Sequence, residues 1–499
     1  MNIQHNLQAT CKHFNVFPLS GCSISINNDL PEPQPLLLIP GGSKDGHGFY
    51  LPEGADGNVT LAAGQIMLLA CPGDNNGFNN TNLGSKPILA TCDSNSTFYV
   101  NSVPYDFLDF ACKSYPFHTA RYSNSTCYDG TKSHIEIGFE VVSHFYKLID
   151  VCFDDQLKTT LYVKATIVSG IAGFQEGFPR PRFIRDSFFA GMSVNTRYKR
   201  NTTRDTISGL LGSTLLGDQY IDATSDYFLS RGHLSAKADF VYGSQQRATF
   251  HFVNVAPQWQ TFNGGNWEAL ESSVREYADK KKRDLVVYTG TYGVATLQNV
   301  NGIETELYLY VDDNNKTIPV PKLFWKAVYD PKSQAGVVFV GINNPHISEP
   351  KGDYLVCTDV CSKISWVNWD QKSITKGYSY CCEVDDFRST VKTLQQFPVS
   401  GLLTESGNTN NSSSLRLILY CILIVVMAGI MITLTALIAR KMCSDMKSET
   451  FSSKCNSKML TLAAPIKNAS VFFVSFIAMK GGQIKITHLK PRMLQEAGL

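Results

Sequence analysis

Alternating apolar and polar positions predict that much of the chain forms short β-strands. Successive side chains of a strand point to opposite faces of its sheet, so a half-buried strand reads as an alternation. Four such runs lie in the first third of the chain, and four more lie further along it. The predicted strands are residues 36–39, 66–70, 135–142, 160–165, 285–288, 306–311, 324–329 and 337–341.

A different period predicts helices. Apolar residues recur at three- and four-residue steps over residues 267–282, and residues 206–217 are also helix-like. Residues 250–254 alternate apolar with more polar positions, as on a half-buried strand that precedes the first of these helices. Strands mixed with helices in this order predict an α+β fold with an antiparallel sheet.

An apolar run near the C-terminal end predicts a transmembrane helix. Residues 417–439 are 23 residues without a charge, which is long enough to span a bilayer core of about 30 Å. Lysines and arginines follow this run, so the positive-inside rule places the tail in the cytoplasm. The chain is therefore predicted to be a single-pass membrane protein with an extracellular or lumenal body, or a secreted protein if the mature form lacks the C-terminal segment.

Cysteines and glycosylation sequons also indicate an exported body. Eleven of the 14 cysteines precede the apolar run, and without Cys11 ten remain, enough for five disulfides. A zinc site at Cys357, Cys361, Cys381 and Cys382 is the less favoured alternative, because the spacing is not a standard one. The predicted sequons before the run are Asn58, Asn79, Asn95, Asn124, Asn201, Asn315, Asn410 and Asn411.

These features divide the chain into predicted parts. A leader without a recognisable signal peptide precedes a disulfide-stapled, β-rich module, a mixed α+β domain and a short linker before the apolar run. The predicted bounds are residues 1–21 for the leader, 22–165 for the module, 166–403 for the domain, 404–416 for the linker, 417–439 for the transmembrane helix and 440–499 for the basic tail.

Two short motifs carry the candidate chemistry. His233 ends the segment Ser230-Arg231-Gly232-His233, and a segment with Asn254 and Asn263 follows it closely. Hydrolysis of a phosphodiester requires a base that works near neutral pH and a divalent ion to offset charge on the leaving oxygen. Imidazole is such a base, and an asparagine carbonyl can bind Mg²⁺ while the ion keeps most of its waters. The motifs therefore predict metal-assisted cleavage of a phosphodiester.

The motifs resemble those of the DNA/RNA non-specific endonuclease family, which is of the His-Me finger type. The resemblance covers residues 230–240, 254–258, 263–271 and 320–326, and from about residue 22 to about residue 403 the chain is similar to secreted arthropod members. It implies a ββα-metal domain, with one strand carrying His233 and a helix carrying Asn263. It also implies cleavage of DNA, with RNA as a second substrate, that leaves 5′-phosphate ends.

The resemblance implies a role for each matching residue. His233 would be the general base, and Asn263 would bind Mg²⁺ directly, with Mn²⁺ as the alternative ion. Asn254 and Glu271 match positions that support the metal site or its water molecules, and Arg231 belongs to the signature without an assigned role. Ser230 departs from the family pattern, which usually has Asp there, so a carboxylate near the ion's water molecules is missing. The arthropod-like members tend to have a small residue at this position, so the effect of Ser230 on metal binding and activity is left open.

Charge balance predicts a local rather than a global attraction for nucleic acid. The tail after residue 439 has 10 Lys and Arg against 3 Asp and Glu, so the rest has 35 against 40 and is mildly acidic. Phosphate contacts must then come from a local patch, for which Lys237, Arg247, Lys322 and Lys326 are the candidates. Two alternatives remain: a nucleic-acid-binding protein that has lost catalysis, and a membrane-anchored structural protein. The oligomeric state is left open.

Overall fold

The computed structural model describes residues 21–42, 48–312 and 315–405, with six helical residues between 427 and 438 and two short strands near the C-terminal end. The chain divides into two compact units, Met1–Thr409 and Asn410–Leu499. In the second unit, the described strands Ile477–Lys480 and Gln483–Ile486 pair antiparallel. The first unit contains every predicted site residue.

Seven short strands form the beginning of the first unit. They are β1 (Cys22–Ser25), β2 (Leu36–Leu38), β3 (Asn58–Leu61), β4 (Ile66–Ala70), β5 (Ile88–Ser94), β6 (Thr97–Val100) and β7 (Val103–Asp106). Strands β2, β4, β5, β6 and β7 make an antiparallel sheet in that order, and β1 pairs with β3. The strands predicted at residues 36–39 and 66–70 are present as β2 and β4.

Four longer strands and three helices follow. The strands are β8 (Thr119–Cys127), β9 (Lys132–Val141), β10 (His144–Asp154) and β11 (Thr159–Ile167), and the helices are α1 (Val194–Arg197), α2 (Arg200–Leu211) and α3 (Thr214–Tyr220). The prediction of one helix over residues 206–217 is wrong. Gly212 takes a left-handed φ of 72° and ends α2, and the Ser213 hydroxyl then caps α3 by accepting from the Leu216 N–H.

The segment with the candidate chemistry comes next. Its elements are β12 (Leu229–His233), α4 (Gly243–Ala248), β13 (Val255–Trp259), α5 (Gln260–Phe262) and α6 (Glu268–Lys281). The helix predicted over residues 267–282 is present as α6. The strand predicted over residues 250–254 is wrong: the Asn254 N–H donates to the His251 carbonyl in a tight helical turn, and the strand begins only at Val255.

The remaining elements complete the first unit. They are β14 (Leu285–Val294), β15 (Thr296–Gln298), β16 (Glu304–Glu306), β17 (Tyr308–Val311), β18 (Lys316–Pro319), β19 (Pro321–Asp330), β20 (Ala335–Ile342), β21 (Ser379–Cys382), α7 (Val384–Thr390) and β22 (Gly401–Leu402). The predicted strands at 285–288, 324–329 and 337–341 lie within β14, β19 and β20. The predicted strand at 306–311 is divided, because β16 pairs with β15 whereas β17 pairs with β18.

A nine-stranded sheet joins the early and late strands. Its order is β21-β20-β19-β14-β11-β10-β9-β8, with β22 parallel to β20 and all other pairs antiparallel. The predicted strands at 135–142 and 160–165 lie mainly in β9 and within β11. The predicted boundary between residues 165 and 166 falls inside β11, which pairs with β10 on one side and β14 on the other.

Five disulfides staple the unit, as the cysteine count predicts. The favoured disulfide interpretation of the late cysteines is confirmed, because Cys357 pairs with Cys382 and Cys361 with Cys381. Their sulfurs are therefore used in covalent bonds and cannot form the alternative zinc site. The other bridges are Cys22–Cys92, Cys71–Cys112 and Cys127–Cys152.

The predicted transmembrane helix at 417–439 lies mostly outside the described residues. Only six of its positions are described, and each is helical. Within the described part of the chain, we find no helix with both the length and the apolar character that crossing a membrane requires. The predicted leader and most of the basic tail also lie outside the described residues.

Candidate active site

Strand β12 carries His233 at its end. It pairs antiparallel with β13, so that His233 lies opposite Val255 and Ser230 lies opposite Gln258. Gly232 is needed at this crossing, because a β-carbon there would lie 2.3 Å from the Gln258 side-chain oxygen. The Arg231-Gly232-His233 order is thus a packing requirement as well as a chemical motif.

Asn254 braces the turn that follows His233. Its side-chain nitrogen donates to the carbonyls of Ser235 and Thr249, each at 2.9 Å, and its oxygen accepts from the Ser235 N–H at 2.9 Å. The side chain is fully buried, and both its nitrogen and its oxygen form hydrogen bonds with backbone groups. The structure shows Asn254 as a brace of the turn that follows His233, and its support of the metal site or its water molecules stays a prediction.

The entry to α6 is held in place from the side. Residues 263–267 form a wide helical turn, in which Gly265 leaves helical geometry where a β-carbon would come within 2.9 Å of the Lys376 carbonyl oxygen. Asn266 donates to the carbonyls of Asp370 and Gly377, each at 2.8 Å, and accepts from the Asp370 N–H at 3.0 Å. These bonds fix the turn on which Asn263 lies.

Ser230 orients the Asn263 amide. The Ser230 hydroxyl donates to the Gln258 carbonyl at 2.9 Å and accepts from Asn263 Nδ2 at 3.2 Å. A hydroxyl has only one proton, so its bond to Gln258 leaves it as the acceptor toward Asn263. The Asn263 carbonyl oxygen is left available, and it is the type of neutral oxygen that binds Mg²⁺.

His233, Asn263 and Glu271 line one cavity of about 320 Å³. The structure thus brings together the predicted base, the predicted metal ligand and the predicted carboxylate, with Arg231 and Lys237 also at the wall. The other lining residues are Arg180, Ala236, Ala238, Gln260, Gly264, Glu268 and Arg275.

His233 is buried and has one ring nitrogen without a partner. Its exposed fraction is 8%, and Nε2 makes no hydrogen bond among the described residues. The rings of Phe183 and Phe250 lie 5.2 and 4.9 Å from the imidazole, centroid to centroid. Burial lowers the pKa of His233 from 6.5 to about 3, and the positive charge of Arg180 acts in the same direction. The imidazole is therefore neutral at pH 7 and able to accept a proton.

Glu271 lies in a cluster of charged groups beside the same cavity. Burial raises the pKa of Glu271 from 4.5 to about 7, and the carboxylates of Asp239 and Glu268 add to the rise. Lys326 and Arg275 oppose it. Arg275 also binds Asp239 at 3.0 Å. The Glu271 carboxyl group therefore titrates near neutral pH, where a site that handles protons can use it.

Lys326 does not lie on the surface as predicted for a phosphate contact. Its exposed fraction is 1%, and its Nζ donates to the Thr289 hydroxyl at 2.7 Å and lies 5.3 Å from the Trp267 ring centroid. Burial lowers the pKa of Lys326. Strand β19 is an interior strand of the large sheet, so this cation acts on Glu271 from within the protein rather than on substrate.

Of the other predicted cations, only Lys237 lines the cavity, where its Nζ donates to the Phe178 carbonyl at 2.6 Å. Arg247 instead packs over the ring of Tyr115, 4.4 Å from its centroid. Lys322 forms an ion pair with Asp353 at a separate cavity. Arg247 and Lys322 do not line this cavity, because closeness in sequence to the motifs did not bring them to its wall, and their role as phosphate contacts stays a prediction.

The cavity also uses arginines that sequence reasoning missed. Arg180 and Arg275 line it, and Arg182 and Arg185 lie in the same segment as Arg180. A signal for both was present in the sequence. Three arginines occur within six residues at 180–185, and Arg275 follows Glu271 by four residues, the spacing that places two side chains on one face of a helix.

The family whose description is DNA/RNA non-specific endonuclease matches residues 130–387. The match spans half of the chain and contains β12, β13 and α6 with the cavity between them. The chain belongs to this family. It is therefore a member of a nuclease family, whose substrates are nucleic acids, and the resemblance noted in the sequence is confirmed.

Curated relatives are salivary proteins of insects. "Salivary endonuclease" of Lutzomyia longipalpis is 29% identical over 392 residues, which cover 78% of this chain and 87% of that protein. "Salivary protein Tsal2A" of Glossina morsitans morsitans is 26% identical over 389 residues, covering 77% and 94%. "Salivary endonuclease" of Culex quinquefasciatus is 23% identical over 281 residues, covering 55% and 69%.

The predicted localisation in a membrane is corrected by these comparisons. The relatives that cover most of the chain are named as salivary proteins, and the described residues contain no helix fit to cross a bilayer.

Among solved structures, an EndoG/EndoGI complex matches 51% of this chain and 87% of that chain with 15% identity. Its TM-score of 0.32 is too low to support an argument about geometry.

Proposed function

We propose that this protein is a metal-dependent endonuclease that hydrolyses phosphodiester bonds of DNA, with RNA as a second substrate. One observation carries the proposal: the buried His233, whose Nε2 has no hydrogen-bond partner among the described residues, lines the same cavity as Asn263. Buried polar atoms are normally paired within the protein, so an unpaired one at a cavity wall suits a group that arrives from outside. A phosphodiester and its attacking water are such groups.

In this proposal His233 is the general base. One ring nitrogen of His233 removes a proton from a water molecule, the water oxygen attacks phosphorus, and the bond between phosphorus and the 3′-oxygen breaks. The 3′-oxygen takes up a proton from solvent, so that the products have 3′-hydroxyl and 5′-phosphate ends. The low pKa of His233 makes it a weak base in the free protein. A phosphate that binds beside Arg180 would offset the guanidinium charge, which is the smaller of the two causes of this low pKa after burial.

The donor set fits a hard divalent ion, with Mg²⁺ proposed and Mn²⁺ as the alternative. Asn263 would hold the ion through its carbonyl oxygen, and Glu271 would support it through water molecules in a ββα-metal arrangement. Such an ion stabilises negative charge on the phosphate and on the leaving oxygen. Ser230 supplies a hydroxyl where the family usually has a carboxylate. Here that hydroxyl fixes the Asn263 amide through its hydrogen bond, so the departure does not by itself abolish the site.

Two arginines at the cavity wall suit the phosphate. Arg231 reaches the wall from β12, and its Nη2 is held by the Asn195 carbonyl and side chain at 3.2 and 2.8 Å. Arg180, in the arginine-rich segment, lines the same cavity, and its positive charge acts on His233. Guanidinium groups can bind phosphate oxygens in pairs, so we assign Arg231 and Arg180 to holding the scissile phosphate.

We also propose that the protein is secreted. Its five disulfides require an oxidising compartment to form and persist. The salivary names of the relatives point the same way. Glycosylation at the predicted sequons is part of this proposal.

The full-length chain incubated with plasmid DNA and Mg²⁺ tests the function. We expect cleavage that chelation abolishes, loss of cleavage in His233→Ala, and products that DNA ligase rejoins only while they retain 5′-phosphates. Asn263→Ala should raise the Mg²⁺ concentration needed for half-maximal cleavage. His144→Ala is the matched control, because His144 is exposed and does not line the cavity.

Three outcomes would contradict the assignment. Cleavage by His233→Ala equal to that of the wild type would contradict the role of His233 as general base. Unchanged cleavage after chelation would contradict the dependence on a metal ion. Binding of DNA without cleavage, by a folded wild-type protein, would favour the alternative of a nucleic-acid-binding protein that retains the nuclease fold.

A further inference from the structure

A second cavity adjoins the first through Arg231. It has a volume of about 550 Å³, and Arg231 lines both cavities. Arg182 and Arg185 also line the second cavity, and none of the residues described at its wall is acidic. Three guanidinium groups at one cavity give it a strong positive charge, although the body of the protein is mildly acidic.

The arginines differ in how far their donors are used. Arg231 donates hydrogen bonds to Asn195 through Nη2, and its buried Nε has no partner among the described residues. Arg182 is exposed and makes no side-chain hydrogen bond or ion pair with the described residues. Arg185 donates one bond, to the Met192 carbonyl at 3.3 Å. Each guanidinium has five N–H donors, so most donors at this cavity are free for a ligand.

The segment that carries these arginines is fastened along its length. The Ile184 backbone bonds to the Phe250 carbonyl at 2.8 Å and to the Phe252 N–H at 3.0 Å. Phe183 packs between the rings of His233, Phe250 and Phe252.

Asp186, which directly follows Arg185 in the sequence, is held by two buried histidines that contact each other. Its carboxylate binds His251 Nδ1 at 2.8 Å, and His251 Nε2 lies 2.8 Å from His118 Nδ1. The backbone beneath Arg182 and Arg185 is thus fixed before any ligand binds. Fixed donors bind a ligand with a smaller loss of conformational entropy than mobile ones.

We propose that this arginine cavity binds a phosphate of the substrate strand adjacent to the phosphodiester cleaved in the His233 cavity. The proposal rests on the proposed function. A nucleic acid strand carries phosphates at regular intervals, so a strand held at Arg231 presents its next phosphate to one side of that residue. Arg182 and Arg185 line the cavity that shares Arg231 with the His233 cavity. They hold the strand in register and contribute more as the substrate becomes longer.

A length series with the full-length chain tests this subsite. Arg182→Gln/Arg185→Gln is compared with Lys280→Gln/Lys363→Gln, which removes the same charge from side chains that are 68% and 59% exposed and line neither cavity. The substrates are a dinucleotide with one phosphodiester and a pentanucleotide with four. We expect the ratio of kcat/KM for the pentanucleotide to that for the dinucleotide to fall about tenfold in the arginine variant and to stay unchanged in the lysine control.

Binding gives a readout that does not need cleavage. In a His233→Ala background, the affinity for a fluorescent single-stranded oligonucleotide is measured over a range of salt concentrations. Each phosphate contact contributes about 0.7 to the slope of log K against log salt for single strands, so the arginine variant should lose about that much. Arg182→Lys/Arg185→Lys retains the charge and should keep most of the slope.

An equal loss on both substrates, or an unchanged ratio and salt slope, would overturn the subsite. Thermal unfolding at the wild-type temperature excludes a folding defect as the cause of any loss. The two proposals fail differently. Absence of cleavage by the wild type would contradict the nuclease assignment, whereas an unchanged salt slope would contradict the subsite even in an active enzyme.

Discussion

Two buried histidines, His233 and His251, show how the same side chain serves catalysis in one place and structure in another. Both are almost completely buried. His251 has both nitrogens paired, with Asp186 and His118 at 2.8 Å each, whereas Nε2 of His233 has no partner among the described residues. Hydrogen bonds at both nitrogens hold the His251 imidazole in one place. A nitrogen without a partner leaves the His233 imidazole, which lines a cavity, able to accept a proton.

The two histidines are joined by one short segment. Phe183 packs on His233, and three residues later Asp186 binds His251. The arginines proposed to bind phosphate lie on the same stretch. A single piece of backbone therefore shields the base, supplies charge beside it and is anchored at a distance from the chemistry. The following predictions separate these roles.

The largest expected effect is the loss of catalysis in His233→Ala. A positioned general base contributes about 10²- to 10⁴-fold, so kcat/KM of the folded variant should fall by about 10³-fold. Added imidazole should restore part of the rate, because the truncated side chain leaves a space at the cavity. Rescue of His251→Ala by imidazole instead would reverse the assignment of the two histidines.

His251→Ala should mainly reduce stability. It leaves the half-buried carboxylate of Asp186 and the buried His118 imidazole without their common partner, and hydrogen bonds to charged groups are worth about 1.5–3 kcal/mol each. We expect a loss of about 3 kcal/mol in the free energy of unfolding by urea, and less than a tenfold loss of kcat/KM on the dinucleotide while the protein is folded. A loss of activity comparable to that of His233→Ala would break the comparison.

Ser230→Ala should weaken metal binding without changing the base. Removing the hydroxyl frees the Asn263 amide to rotate, and groups that orient a metal ligand are worth about 10- to 100-fold in affinity or activity. The Mg²⁺ concentration for half-maximal cleavage should rise about tenfold, and Ser230→Thr, which keeps the hydroxyl, should stay near the wild type. Equal metal dependence in all three proteins would show that Ser230 does not orient Asn263.

The smallest effect concerns acid pH. Burial lowers the pKa of His118 from 6.5 to about 3, with the charges of His251 and Arg247 acting in the same direction. Between these values the unfolded chain binds a proton that the folded protein does not, so stability is lost as pH falls from 6.5 toward 3. Each such histidine adds about 1.4 kcal/mol per pH unit to the slope of unfolding free energy against pH.

His118→Asn removes this titration while its amide can still meet His251. Its unfolding free energy, measured at intervals between pH 6 and pH 4, should fall less steeply than that of the wild type by about that amount. Parallel curves for the two proteins would mean that His118 already binds a proton in the folded state.

Local elements were readable from sequence where one period persisted. Helix α6 and strands β14, β19 and β20 carry their apolar spacing without interruption, so their predicted positions agree with the structure. Predictions failed where a single residue overrode the pattern. Gly212 divides the predicted helix because its backbone is left-handed, and the turn at His251–Asn254 interrupts an alternation in which Phe250 and Phe252 are both buried.

The predicted cations on β19 differ in burial and in their partners. Lys326 and Lys322 belong to one strand four residues apart, yet Lys326 is enclosed beneath Glu271 and Lys322 pairs with Asp353 at another cavity. Neither outcome follows from the neighbouring residues in the sequence. Both lysines lie on β19, and the surroundings of that strand are set by its pairing with β14 and β20 in the sheet.

The sequence by itself determined the family, the residue types of the site and the number of disulfides, because these depend on identities and spacing. Only the tertiary structure decided that Asn254 braces a turn, that Ser230 orients Asn263, that Arg180 lines the cavity of the base, and that Arg182 and Arg185 line the adjoining cavity. Those outcomes depend on which side chains the packed sheet and the crossing of β12 with β13 bring within hydrogen-bonding distance. Contacts between residues far apart in the chain are set by the fold as a whole, and no local pattern encodes them.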